Sequence, residues 1–307
     1  MSATISRNTG VRGWVRDPVG RFSWLKTATL ALILLPALLL AFRAATGDLG
    51  ARPWIEANHF TGLWGVRILL VSLMVTPARQ VVDSTRVLML RRMLGVTAAC
   101  YLGAHFLLYV GDQNGNLLHV ASEIVNRFYL TIGFIALVGL LALALTSTNS
   151  WQRRLGRGWK RLHKAVYVLT ALGILHYFFQ SKLDVTNATL LGGVFVWLIL
   201  WRLEPRRWQP RRWPLPELAI LAALLTAVME AGWYAWRNHA PIERVLVANL
   251  DIQRVIHPSV YVLVLGLVVT AVALARPLWR RKPDANAAAA RAATRAAQRA
   301  ARFEAAE

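Results

Sequence analysis

The sequence predicts an all-α protein, a polytopic transmembrane helix bundle, and three observations carry that prediction. Eight apolar runs follow one another, each close to the ~20 residues a helix needs to cross the hydrocarbon core. The runs lack the alternation of barrel strands, which leaves helices to satisfy every backbone group in lipid. Finally, the 307-residue chain is 56% hydrophobic with 13 Trp, yet its formal net charge is +21. A soluble domain rarely combines these properties. A membrane protein does so easily, because its arginines gather in loops on one side.

Residues 1–22 are a polar leader with Arg7, Arg12, Arg16 and Arg21 against Asp17. Trp24 to Phe42 is the first apolar run. A basic leader before an apolar core also describes a signal peptide, with small residues at 41–45 for cleavage. The length of this run and the spans behind it favour an uncleaved first helix. Further runs fall near 62–78, 93–111, 128–146, 162–179, 186–203, 216–236 and 257–275. Six of these runs lie within 23–203, and two more lie within 204–283. The tail at 284–307 is Ala/Arg-rich low complexity. Its basic residues suit an anionic membrane surface. We see no internal repeat to argue from.

The loops set the orientation. Basic residues crowd 79–92, 151–164 and 202–212, and Arg276, Arg280, Arg281 and Lys282 follow the last run. The alternate loops are nearly balanced, as with Arg43 and Arg52 against Asp48 and Glu56. By the positive-inside rule both termini are cytoplasmic. This spread of the 36 Lys and Arg between apolar runs, rather than along one stripe, argues against nucleic acid as a partner. The single cysteine, Cys100, excludes an internal disulfide and covalent haem attachment through CxxCH. Inside an apolar run it reads as a buried small hydrophobe.

Histidine is costly in hydrocarbon, so an intramembrane one marks a site. The third and fifth helices both start at the basic side. At about 1.5 Å per residue, His105 then lies ~20 Å up and His176 ~22 Å up, in the outer half of the membrane. Two neutral imidazoles facing each other across a bundle are what a six-coordinate haem iron requires. Matched depth favours ligation over a structural hydrogen bond to a neighbouring helix. His163 stands thirteen residues before His176, ~20 Å deeper and roughly 140° round the helix. It reads equally as one ligand of an inner haem or as an interfacial histidine. At its depth on the third helix stands Arg91. An arginine does not ligate iron, but it pairs with a propionate or a flavin phosphate. Arg67, inside the outer end of the second helix, either snorkels to the interface or neutralises a propionate. His59 is expected in the outer loop before the second helix, within reach of a cofactor edge or a docking partner. His119, His239 and His257 read as structural.

The segments HFTG (59–62), VTPAR (75–79), RRMLG (91–95), AHFLLY around His105, NRFYLTIG (126–133), LALTSTN (143–149), LGRGWKRLH (155–163) and LHYFF (175–179) occur in this order. Together they resemble the MsrQ (YedZ) family, haem-binding membrane subunits of methionine sulfoxide reductase systems, within the ferric-reductase-like transmembrane superfamily. The resemblance covers about 23–203. It implies a bacterial inner-membrane electron carrier with haem b, whose family histidines fall at His105, His163 and His176. It also implies a periplasmic molybdenum-containing reductase subunit, MsrP-like, as electron acceptor. FMN, and a quinone or a cytosolic flavin reductase as electron donor, rest on the resemblance alone. The chain would then be an electron-transfer subunit rather than the catalytic one. Family members end near Arg212, so 214–307 is an addition, with Glu230 in its first span. Oxidase relatives pair histidines at both depths, and Arg91 at the inner position leaves one haem or two open.

A reading of another class is a transporter or proton relay whose intramembrane histidines bind a metal. Against it stand the absence of paired Gly/Pro-interrupted helices and of an intramembrane carboxylate near His105 or His176. A self-sufficient reductase is excluded differently: no GxGxxG follows a strand, and two spans and a tail are too little for a nucleotide domain.

Overall fold

The computed structural model describes residues 12–16, 20–182, 184–204, 214–251, 253, 255–279, 293–294 and 297. The arginines of 206–212 and all but three positions of the 284–307 tail lie outside the described residues. Among the described residues, eight helices are long and apolar enough to cross a membrane, as the apolar runs predict. They are α1 (Trp24–Ala45), α2 (Pro53–Val82), α3 (Leu90–Asp112), α4 (Phe128–Leu145), α5 (Ala165–Ser181), α6 (Thr186–Leu203), α7 (Pro214–Asn238) and α8 (Pro258–Trp279). Short helices at Leu117–Asn126, Asn149–Leu155, Arg157–Leu162 and Ile242–Ala248 lie between them.

One boundary moves a candidate residue. α2 starts at Pro53, well before the apolar run, because proline at the first helical position loses no hydrogen bond. His59, expected in a loop, therefore stands inside α2. His119 likewise lies in the short helix Leu117–Asn126.

α2 is the central post. Its Val66, Leu70 and Leu73 pack with α5, α6, α7 and α8, whereas Ile68, Leu69 and Val75 pack with α1, α3 and α4. The bundle exterior is apolar, with Leu32, Leu107, Val168 and Leu224 all exposed, as suits a surface solvated by hydrocarbon. Cys100 belongs to that surface. It is exposed rather than buried, since an apolar sequence context does not distinguish the interior from the lipid face.

Two prolines inside spans show how the freed backbone groups are recovered. Pro77 has no N–H, so the Leu73 carbonyl one turn earlier lacks its helical partner. Arg202 Nη2 donates to that carbonyl at 2.6 Å, while Nε donates to Tyr167 Oη at 2.9 Å and Nη1 to the Leu198 carbonyl at 2.7 Å. Beside Pro36, the hydroxyl of buried Tyr101 is inserted into α1. It donates to the Ile33 carbonyl at 2.8 Å and accepts from the Ala37 N–H at 2.9 Å. Tyr101→Phe is expected to cost about 1–3 kcal/mol, read as a lower unfolding midpoint in detergent. An unchanged midpoint would show that these α1 groups find other partners.

The additional pair α7–α8 docks on α6, where a side chain at Gly193 would collide with Thr226 and Val262. Small residues allow this close approach in membranes. Glu230 is buried and hydrogen-bonded within the extension. It accepts from Asn249 Nδ2 at 3.0 Å and faces His257 Nδ1 at 3.3 Å, and Asn249 Oδ1 accepts from Ser259 Oγ at 2.7 Å.

Candidate functional site

α3 and α5 bring His105 and His176 together. Their ring centroids are 6.5 Å apart and their planes 77° apart. Metal–imidazole bonds of about 2 Å on opposite sides of one ion would put the ring centres at roughly this separation. Both rings line a cavity of about 820 Å³, large enough for a cofactor.

Each ring is held by one nitrogen. His105 Nδ1 lies 2.8 Å from the Asn58 carbonyl on α2, and His176 Nδ1 lies 2.8 Å from the Tyr129 carbonyl on α4. A carbonyl only accepts, so each Nδ1 carries the proton and each Nε2 keeps its lone pair. This is the tautomer a metal-binding histidine needs, with its other N–H donated to an outer-shell acceptor. Asn58 also returns a bond, Nδ2 to the His105 carbonyl at 2.7 Å.

Glycines make the approach possible. A Cβ on Gly62 would stand 2.8 Å from His105 Nδ1, and one on Gly133 would stand 2.6 Å from His176 Nδ1. Both distances are well inside contact. The pattern recurs: each histidine follows its carbonyl by 47 residues, and each glycine follows that carbonyl by one helical turn. The repeat that the sequence hides is therefore present in space, in the pairs α2–α3 and α4–α5.

The cavity wall is apolar in its depth, with Leu69, Leu102, Leu140 and Leu169. Glu56, His59, Asp112, His119, Glu123 and Arg127 also line it, at helix ends on the side away from the basic loops. Arg127 Nη1 is 3.3 Å from Tyr129 Oη, and Nη2 is 2.7 Å from Glu123 Oε2. The Tyr129 hydrogen bond first, and the Glu123 carboxylate further down, raise the Arg127 pKa and keep it cationic. Arg127 thus brings a positive charge, paired with Glu123, to the cavity wall, whereas the sequence left Arg67 open between snorkelling to the interface and neutralising a propionate. The Arg67 guanidinium instead lies 5.1 Å over the Trp64 ring, and the residue is not part of the cavity wall. His59 does line the cavity, although from within a helix.

His163 is not gathered with the other two. Its ring stacks on Trp159 at 4.0 Å, Nδ1 is 3.2 Å from the Trp159 carbonyl, and Nε2 is 3.3 Å from Ser147 Oγ. Arg91 is within its electrostatic reach, as the shared depth predicts. Among the described residues no three His, Cys, Asp or Glu converge as a metal cage. The His105–His176 pair therefore fits a group that brings its own remaining donors, as a haem does with its four pyrrole nitrogens.

Sequence reasoning missed Asn58, Gly62, Tyr129 and Gly133. Backbone carbonyls leave no mark in a sequence. The only available signal was that one of the two glycines in each helix stands at equal spacing from a histidine.

The ferric reductase like transmembrane component family matches residues 61–174, a segment that carries His105 and ends just before His176. A protein-methionine-sulfoxide reductase heme-binding subunit MsrQ of Xanthomonas campestris pv. campestris is 39% identical over 188 residues, 59% of this chain and 86% of its own. The same-named subunit of Caulobacter vibrioides is 39% identical over 179 residues, 58% of this chain and 83% of its own. That of Xanthomonas oryzae pv. oryzae is 37% identical over 203 residues, 62% of this chain and 93% of its own. No solved structure matches the chain significantly. With identity at this level over most of the relatives' length, the chain belongs to the MsrQ family.

Proposed function

We propose that the chain is the haem-binding electron-transfer subunit of a methionine sulfoxide reductase system, in which His105 and His176 would hold the iron of one haem b. The observation that carries this reading is the pair of Nδ1–carbonyl bonds, which leaves both Nε2 atoms for one iron. The bound haem supplies one-electron transfer. The protein's own residues orient the imidazoles, exclude water with apolar side chains and place Arg127 for a propionate. Neutral ligands and a dry pocket are among the levers that set a haem potential.

The asymmetry of the basic loops supports a bacterial inner membrane location with both termini cytoplasmic. The haem then sits in the outer half, where a periplasmic molybdenum-containing reductase subunit would collect the electrons. The donor is a quinone or a cytosolic flavin reductase, and FMN remains part of the proposal through family resemblance. A second haem would use His163, opposite Arg91 near the cytoplasmic face.

Oxidised and dithionite-reduced visible spectra of the purified chain test the reading. A low-spin b-type spectrum is expected. A folded, colourless protein would overturn it and favour a transporter or proton relay. Haem per chain, with and without His163→Ala, decides between one haem and two.

The partner surface has its own test. In the short helix Leu117–Asn126, Leu118 and Val125 are among the most exposed apolar side chains, at the end of the bundle where the cavity opens. Leu118→Glu with Val125→Glu is expected to slow electron transfer to the catalytic subunit about tenfold and leave the spectrum unchanged. Unaltered transfer would move the docking surface elsewhere.

A further inference from the structure

We propose that Gly62 and Gly133 are equivalent positioning residues, each opening its helix so that the histidine of the neighbouring helix reaches a carbonyl that selects the iron-binding nitrogen. The inference rests on the haem reading above and concerns how the ligands are set, not whether they bind.

In α2 the Asn58 carbonyl points along the axis toward the N–H of Gly62, its i+4 partner, and in α4 the Tyr129 carbonyl points toward Gly133. A carbonyl has a second lone pair, but any side chain at i+4 stands beside it. At these two positions that side chain is absent. The imidazoles occupy the space, with Nδ1 at 2.8 Å from each carbonyl. Alanine at either glycine would place a methyl carbon 2.6–2.8 Å from Nδ1, so the ring must withdraw and the bond must break. Glycine in a helix interior costs about 1 kcal/mol relative to alanine. The same cost is accepted twice, at matching places.

Losing the bond has two chemical consequences. The proton on Nδ1 is no longer fixed, and the other tautomer, with its proton on Nε2, does not bind iron. The imidazole also becomes a weaker donor, because a carbonyl acceptor on the far nitrogen raises its basicity. A weaker donor stabilises ferric iron less, so the midpoint potential rises.

The two halves differ in one respect. Asn58 Nδ2 donates to the His105 carbonyl, which ties α2 to α3 independently of the ring.

The experiment uses the full chain in detergent, with Gly62→Ala and Gly133→Ala. Gly232→Ala, where a new Cβ meets nothing within 4 Å, is the matched helical control. Both site variants are expected to show partial high-spin character, at least about tenfold weaker haem retention and a raised midpoint potential. Gly232→Ala should match the parent in spectrum and potential. If the parent binds haem and both glycine variants keep its low-spin spectrum and potential, the inference fails although the haem reading stands. A parent without haem defeats the haem reading instead.

Should the glycine variants not fold, His176→Gly offers a second route. Added imidazole donates to the Tyr129 carbonyl, whereas 1-methylimidazole has no N–H and carries its methyl into the space beside Gly133. Imidazole is expected to restore the low-spin spectrum at about tenfold lower concentration, the worth of one hydrogen bond. Equal concentrations would overturn the inference.

Discussion

His176→Ala is expected to abolish the low-spin haem spectrum of the purified protein, and His105→Ala to do the same. Removing an outer-shell partner of a metal ligand costs about 10- to 100-fold in affinity. Removing the ligand itself should exceed that, so haem should be lost during purification rather than merely shifted. Spectra and haem per chain at equal protein concentration check it. The two substitutions should be equivalent, because the rings sit 6.5 Å apart with matching carbonyl partners. One variant that retains a full low-spin spectrum would mean that its histidine is not an axial ligand. His163→Ala provides the contrast. Its ring is engaged with Trp159 and Ser147 away from the cavity, so the spectrum of the outer haem should survive.

Arg202→Met is expected to give the largest loss of stability among single changes outside the cavity, about 2–5 kcal/mol. The substitution leaves the Leu73 carbonyl without a donor in a region that offers no water, because Pro77 supplies none. It also removes the partner of the Tyr167 hydroxyl and the guanidinium lying 5.0 Å over the Tyr167 ring. Pro77→Ala gives the diagnostic. An alanine N–H can close the helical bond to Leu73, so Pro77→Ala should recover part of the loss in the Arg202→Met background. The coupling should fall in the 0.5–3 kcal/mol range typical of groups that share a partner. Thermal unfolding of the four proteins in one detergent measures it. Strict additivity would show that Arg202 acts through its charge or packing and not through that carbonyl.

The membrane architecture was legible in the sequence because it depends on quantities that a sequence states directly. Run length decides whether a helix can span, and the placement of arginine decides which loops share a side. The histidine depths were legible for the same reason: rise per residue is nearly constant, so His105 and His176 reach one level whatever the packing. Rotation about each helix is another matter. Arg67 and Arg127 are both arginines near one end of the bundle, and only packing turns the first onto Trp64 and the second toward the cavity. Cys100 shows the same limit, since apolar neighbours surround interior and lipid-facing positions alike.

By itself, then, the sequence determined an eight-span helical bundle, its sidedness of charge and the pairing in depth of His105 with His176. Only the tertiary structure decided which nitrogen of each ring is free and that His163 engages Trp159 and Ser147. It alone showed that Gly62 and Gly133 serve matching purposes. The reason is physical. Depth accumulates along one chain, whereas the bonds that orient an imidazole come from main-chain carbonyls on a neighbouring helix. Every residue carries such a carbonyl, and only packing makes two of them special.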